Sequence, residues 1–538
     1  MPFIKIQKQK RAGNGKITGG SASIEDTVYG NFGGYHAKHR SVERLGKVIW
    51  LSEDRKSGIF LSPTRGIVEY DSAKGEFSPV GKGDARLKGT GMFPEPQAHV
   101  MLGDSCMLLE FLNAKGMTGI LRKAFPDAQD YERVLCHVLH GVLKDGSKIP
   151  CDDFIVRSFA SYVFSDIPIP SLKCDSGYFA MMGSDASRMA FFSSFVGRMK
   201  ELCPDFGTAC YVDSTPLPND IQGNPFNALC CHGVGSSENM VRLVLVLDEK
   251  TGLPVWYDIL PGNVLDIGTV MKVANDVSAS LKVTIDSLVL DAGYVSKELL
   301  GAFHIGTEKT LIGRMPARKG FPYRELYDWT KPLLQKGRYA FVRNGHLYFG
   351  HRRQVEVFGQ KEYAYVYLDR SNATKRFTDY LSQNQEEYDR MKESEKDWTS
   401  VRFGFFVLLS NIDETPERLL ADYFGRCDIE TVFKTSKEYL EMLPLSKWTD
   451  LTVRGKILHD VIDTIVVLLL RKSMDGSGSS LSELFGKTSA LMCTGDGMGK
   501  AYPATPSKEA KQYYSLLGIE MPKDAIDIAD FRSKVLGL

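Results

Sequence analysis

A phenol, a guanidinium, a carboxylate and an ammonium recur at helical spacing in one stretch of the chain: Tyr423, Arg426, Glu430 and Lys437. A helix is expected there, because Thr415 can cap it and Pro416 suits its first turn. At about 100° per residue, the four side chains fall on one stripe roughly 60° wide. Phosphate-binding groups around a single carboxylate suit a place where a metal ion meets a nucleic-acid backbone. The same residues also suit a plain solvated face, with Arg426 and Glu430 paired across one turn. Two more acids close apolar runs. Asp213 ends TACYVD (208–213) and Asp291 ends IDSLVLD (285–291). Carboxylates are the oxygen donors that Mg²⁺ prefers. Two such ions can activate a water and stabilise a leaving oxygen in phosphodiester cleavage. Asp248 and Asp258 also lie on or after strands, and topology alone does not separate them from Asp213 and Asp291.

The elements that must position these acids are legible as a series. TACYVD, MVRLVLVLD (240–248) and LPVWYDIL (253–260) read as three consecutive strands, the second a continuous apolar run of the buried kind. A helix is expected over 266–282, then the strand IDSLVLD, the helix-like VSKELLGAF and the strand TLIGRM (310–315). Strand-strand-strand-helix-strand-helix-strand is the order of a ribonuclease-H-like core. That core keeps its metal site at the first strand and at the end of the fourth. RYAFVR and HLYFGH flank Asn344-Gly345, a dipeptide that favours a type I′ hairpin turn. RQVEVFG and EYAYVYLD follow, then a polar helix over 375–398 and the strand RFGFFVLLS (402–410).

The expected fold is α/β: a ribonuclease-H-like mixed sheet with a β-rich insertion, preceded by a small β region and a helical module. The expected divisions are 1–100, a basic arm and small β region; 101–205, a helical module and candidate DNA-binding part; 206–315, the first part of the core; 316–400, the insertion; 401–475, the second part of the core; and 476–538, a C-terminal tail after a Gly/Ser linker. Within 1–24, Lys5, Lys8, Lys10, Arg11 and Lys16 meet no acid, and the glycines among them predict a flexible arm. Such an arm suits a phosphate backbone or stands as a solvated tail.

Composition bounds the rest. The chain has 538 residues, 43 % of them hydrophobic and 25 % charged, which is ordinary globular composition. Net charge is +1, so any nucleic-acid surface must come from local clustering. The ten cysteines form no Cys-x-x-Cys pair. Cys230-Cys231-His232 lacks the second pair that a zinc site needs. The N-terminus has charge but no apolar signal core, and Ile465–Leu470 is far shorter than the ~20 residues of a membrane helix. A soluble, intracellular protein is expected.

Tyr423-x-x-Arg426-x-x-x-Glu430-x-x-x-x-x-x-Lys437 resembles the Y-(2)-R-(3)-E-(6)-K signature of DDE transposases of the insertion-sequence-four type. Asp213-Ser214-Thr215 resembles that family's first-aspartate motif, Pro261-Gly262-Asn263 the element after its third strand, and Asp291-Ala292-Gly293-Tyr294 its second-aspartate motif. The resemblance covers about 205–445. The gap of 139 residues from Asp291 to Glu430 is what a β-strand insertion implies in this family.

The resemblance implies an enzyme that cuts DNA at insertion-sequence ends and joins them to a target. Asp213, Asp291 and Glu430 would hold two divalent ions, Mg²⁺ with Mn²⁺ as a substitute, Asp213 bridging them. Water would nick, and the freed 3′-hydroxyl would attack a second strand. Tyr423, Arg426 and Lys437 would hold terminal phosphates, Arg as a bidentate fork and Lys as a point charge. The implied partners are DNA (terminal inverted repeats and target) and a second copy in a homodimeric synaptic complex. Family members often stabilise a flipped base with an aromatic on the insertion. Trp329, Trp398, Tyr348, Phe349 and Phe358 are aromatics in or beside it, and each also suits packing of the hairpin set. Two other readings stand beside this one: a non-catalytic DNA-binding protein descended from a transposase, and a ribonuclease-H-fold nuclease without strand transfer.

Overall fold

The computed structural model describes residues 2–11, 17–32, 35–63, 65–94, 98–143, 149–173, 175–219, 221, 223–229, 239–264, 269–425, 427–440, 442–443 and 445–537. The chain divides into two units: Met1–Ser184 with Leu469–Leu538, and Asp185–Leu468.

The first unit begins with an antiparallel sheet in sequence order: β1 (Phe3–Arg11), β2 (Ile17–Phe32), β3 (Tyr35–Leu51), β4 (Ser57–Ser62), β5 (Gly66–Asp71) and β6 (Glu76–Pro79). Ile4, Ala22, Ile24, Leu45, Val48, Phe60 and Tyr70 make its core. The basic N-terminal stretch is therefore not a free arm where it is described. Lys5 and Lys8 lie on β1, and Lys5 pairs with Glu25 of β2 at 2.9 Å. Its glycines favour flexibility, but pairing with a distant strand overrides that local signal. A short strand, β7 (His99–Met101), leads into helices Gly103–Ala114, Met117–Ala124 and Ala128–Leu143. The last buries Tyr131, Val134, Leu135, Val138, Leu139 and Val142, the three-and-four spacing of an amphipathic helix.

The second unit opens with helix Asp185–Leu202 and holds β8 (Ala209–Pro218), β9 (Ala228–Leu229), β10 (Asn239–Asp248), β11 (Pro254–Pro261), β12 (Ser287–Leu290) and β13 (Thr310–Arg314). It continues with β14 (Ala340–Arg343), β15 (His346–Val357), β16 (Gln360–Asp369) and β17 (Phe405–Ser410). The sheet order is β11-β10-β8-β12-β13-β17-β16-β15-β14, with β9 paired to β10. Its first five strands thus lie in the order third, second, first, fourth, fifth. β10 runs antiparallel to β8 and β11, while β8, β12 and β13 are mutually parallel. This is the ribonuclease-H-like arrangement that the order of elements predicts. Helices Asp185–Leu202 and Thr269–Leu281 pack on β11, and helix Cys427–Lys434 packs on β8. Covered in this way, β10 is buried from Val241 to Asp248, which explains its unbroken apolar run.

The insertion does not stand off as a separate sheet. β17 pairs with β13 on one side and β16 on the other, so β14–β16 prolong the core sheet. RQVEVFG is not a strand of its own, because β15 runs unbroken from His346 to Val357. The turn before it has Asn344 at φ 49° and Gly345 at φ 76°, both in the left-handed region that a type I′ turn needs.

Residues beyond 475 return to the first unit. Ser480 caps helix Leu481–Ser489 in a reciprocal bond pair with Glu483. β18 (Met492–Gly495), β19 (Lys500–Pro503) and β20 (Ile526–Asp527) then complete a four-stranded sheet with β7. Helices Lys508–Leu516 and Ile528–Leu536 finish the chain, and Tyr514 Oη donates to the Gly103 carbonyl at 2.9 Å. Among the described residues, no helix is long and apolar enough to cross a membrane.

Candidate active site

Asp213 does not end its strand as expected but sits within β8, which pairs with β10 as far as Pro218, and Asp291 directly follows β12, the next strand over. The parallel register pairs Leu290 with Val212, so the next positions, Asp291 and Asp213, lie level on neighbouring strands. Strands in a ladder are about 4.8 Å apart, and equivalent positions point to the same face. Two carboxylates so placed repel one another and favour a cation or a proton donor between or beside them. The backbone N–H of Ser214 donates to Asp213 Oδ1 at 2.8 Å. Asp291 is the cap residue of a short 3₁₀ turn, Ala292–Tyr294, its backbone extended.

The helical stretch after Pro416 lies over these strand ends. Tyr423, on helix Pro416–Gly425, is buried, and its hydroxyl donates to Asp291 Oδ1 at 3.3 Å. Lys437 reaches β8: its Nζ donates to Thr215 Oγ1 at 2.5 Å and to the Pro216 carbonyl at 3.1 Å. Burial holds the Lys437 ammonium below the usual lysine range. Thr215 is two residues from Asp213 and shares its side of the strand. The two ends of the Tyr423–Lys437 stripe therefore meet the two aspartate motifs. The stripe is not one ideal helix, because Thr435–Tyr439 forms a π turn that shifts the phase at Lys437.

Glu430 lies between, on helix Cys427–Lys434, where Ile429 and Val432 are buried and Glu430 is exposed. Among the described residues, no group of three or more His, Cys, Asp or Glu side chains is arranged to hold a metal ion. The structure thus sets Asp213 and Asp291 level with each other and does not draw Glu430 into a ligand cluster with them. Arg426 lies outside the described residues, as do Cys230, Cys231 and His232.

Sequence reasoning overlooked two contacts that place the helix. A Cβ at Gly425 would collide with the Tyr211 hydroxyl of β8, so the helix approaches that strand closely only because residue 425 is glycine. Thr215 anchors Lys437. A Gly at the expected site helix and a Thr two positions past an expected site acid were the available signals.

The aromatics beside the insertion separate by surroundings. Trp398 packs against Tyr327 and Phe405, and Phe358 against Phe321. Trp329 lies under Arg353, 4.4 Å from the guanidinium. Tyr348, by contrast, lines a cavity of about 340 Å³ together with Tyr423, Phe424, Arg314, Arg376 and His346. Tyr423 belongs to both the cavity wall and the Asp291 contact, so the cavity lies beside Asp291.

Residues 205–449 match the family described as Transposase DDE domain. The match covers somewhat under half of the chain and contains every residue named in this site. Among solved structures, the chain aligns with the cryo-EM structure of the piggyBac transposase synaptic complex with hairpin DNA. That alignment has 12 % identity and a TM-score of 0.35, over 81 % of this chain and 85 % of that one. A likeness of that degree carries no argument about activity. No curated protein matches the chain significantly.

Proposed function

We propose that the protein is a DNA transposase, cutting at the ends of an insertion sequence and transferring them to target DNA. The observation that carries this reading is the level placement of Asp213 and Asp291 on adjacent parallel strands of a ribonuclease-H-like sheet, with Tyr423 bonded to Asp291. Asp213, Asp291 and Glu430 are the metal-binding set in this reading. Their donors are all carboxylate oxygens, which fit Mg²⁺ or Mn²⁺. Bound there, two divalent ions would activate water or a 3′-hydroxyl and stabilise the leaving oxygen. Tyr423 orients Asp291 through its hydroxyl. Arg426 and Lys437 hold phosphates of the DNA end. Lys437, already beside Thr215 on the aspartate strand, would deliver its charge next to the scissile strand. The DNA partners are the terminal inverted repeats and the target. The active assembly is a homodimer, since two ends must be brought together.

The cavity lined by Tyr348, Tyr423 and Phe424 is the place where a base unstacked at the cleaved end would be held. Stacking on an aromatic is worth about 1–3 kcal/mol per base.

The deciding experiment is cleavage of a DNA fragment carrying the sequences that flank the gene, in Mg²⁺ or Mn²⁺. The intact protein is compared with Asp291→Ala and Glu430→Ala. Metal-dependent cuts at the repeat ends, lost in both variants, are expected. Binding without cutting, unchanged by either substitution, would replace this reading with that of a non-catalytic end-binding protein.

A further inference from the structure

A strong excess of basic residues lies far from the aspartates in sequence. Residues 1–51 contain nine Lys and Arg against three Asp and Glu, an excess of six in a chain whose net charge is +1. The remainder sums to a net acidic charge, and eight of the nine cations lie on β1 and β3.

Within that sheet, one part has no neighbour. β1 pairs with β2 only as far as Glu25, and β4 pairs with β3 only from Lys47 onward. Between those limits, residues 26–32 and 35–40 pair only with each other, as a two-stranded ribbon. At about 3.4 Å per residue, the stretch from Asp26 to Phe32 reaches on the order of 20 Å past the last β1 pairing. Residues 28–30 and 36–42 are exposed, whichever way they point, and Tyr29 keeps 81 % of its surface. An ordinary sheet hides one face; this ribbon hides neither.

Beyond Asp26 its chemistry is one-sided in sign. From Thr27 to Val42 there is no acid, while Lys38, Arg40, His36 and His39 are present. Val28 stands opposite Lys38 and Asp26 opposite Arg40, so the two cations share one face. Neither Lys38 nor Arg40 forms an ion pair among the described residues. Arg44 and Lys47 continue the row of exposed cations toward the body of the sheet.

We propose that this ribbon is a duplex-DNA-binding arm, lying along a groove with Lys38 and Arg40 on the phosphate backbone. The partner follows from charge and shape: the B-DNA major groove, about 12 Å wide, admits a two-stranded ribbon. A solvated basic ribbon gains affinity by releasing condensed counterions, without base-specific contacts. The exposed Tyr29 offers a flat apolar face to the sugar edges beside those contacts. The proposal rests on the reading of the protein as one that acts on DNA, but not on its cutting DNA.

The test uses the full chain and a random-sequence duplex of about 30 base pairs. Affinity is measured across a salt series for the intact protein, for Lys38→Ala/Arg40→Ala and for the charge-reversing Lys38→Glu/Arg40→Glu. Matched thermal unfolding of all three shows that the sheet is intact, and sedimentation records self-association. The alanine variant is expected to bind at least about tenfold more weakly. Its dependence of log K on log salt should be shallower by roughly two units, about 0.9 for each phosphate that is no longer neutralised. The reversed variant should bind more weakly still. Unchanged affinity and slope in both variants overturn the proposal. So does unchanged DNA binding with loss of self-association, which would make a second copy of the chain the ribbon's partner. Cleavage by the same variants and by Asp291→Ala is scored separately. A protein that never cuts but loses salt-dependent binding keeps the arm and loses the transposase reading. A cutting protein with an unchanged salt slope does the reverse.

Discussion

Lys437 is tied to the first aspartate motif more tightly than the helical stripe alone implies. Its ammonium is half-buried against Thr215 and the Pro216 carbonyl, with burial pushing its pKa down. If it exchanges these partners for a DNA phosphate, Lys437→Ala should weaken binding to repeat-end DNA and lower the salt slope by about one unit. A salt titration of end binding checks this, and an unchanged slope would leave Lys437 with only its bonds to β8. A second residue makes a prediction about stability. Glu362 on β16 is fully buried, neither carboxylate oxygen has a hydrogen-bond partner among the described residues, and desolvation raises its pKa to about 8. Its folded pKa lies above the unfolded value of 4.5, so the protonated group's contribution is complete below pH 4.5 and is lost as pH rises through about 8. Wild-type stability should therefore fall across that window. Glu362→Gln should flatten the fall, by about 1.36 kcal/mol for each unit of pKa displacement removed. Denaturant unfolding at pH 5, 7 and 9 measures it, and parallel curves for the two proteins would contradict it.

At the scale of elements, the approach of helix Pro416–Gly425 to β8 decides whether Tyr423 reaches Asp291. Gly425 permits that approach, since the Tyr211 hydroxyl occupies the space a Cβ would take. Gly425→Ala should cost about 1–3 kcal/mol through overpacking. It should also cost less in a Tyr211→Phe background, where the obstructing oxygen is gone. Equal losses in the two backgrounds, read by thermal unfolding, would place the strain elsewhere. The core strands were legible because each is an apolar run ended by a turn or an acid: MVRLVLVLD became β10 and TLIGRM became β13 with little shift. The N-terminal strands were not. β1 and β2 carry lysines and glycines where alternation would have shown, and their order comes from pairing Phe3 with Glu25 across a chain reversal. The π turn at Thr435–Tyr439 was equally hidden, because a stripe drawn at 3.6 residues per turn takes the helix to be uniform.

At the scale of the whole molecule, unit Asp185–Leu468 is an insertion within the chain of the other unit, whose parts lie before and after it. Each has its own sheet and its own buried residues, the condition for folding alone. A fragment spanning 185–473, which keeps helix Asp450–Ser473 whole, should unfold in one cooperative thermal transition. A broad, non-cooperative melt of that fragment would show that its core needs the rest of the chain. The segment after 475 shows how little of this level is local: β18 pairs with β7, and His99 Nδ1 meets Thr494 Oγ1 at 3.0 Å from 395 residues away.

The sequence by itself determined the core elements around the site and their order. Apolar runs, caps and turn dipeptides act over a few residues, and they specified strands that reach Asp213 and Asp291, helical structure at Tyr423 and Glu430, and the Asn344-Gly345 turn. Tertiary structure alone decided which ends meet. The parallel register of β8 and β12 made two aspartates 78 residues apart level neighbours. The reach of Tyr423 to Asp291 and of Lys437 to Thr215 depends on how closely a helix can approach a strand. The exposed ribbon of β2 and β3 exists because β1 and β4 stop pairing before it begins. Such contacts depend on groups that are distant in the chain, and no pattern within one segment specifies them.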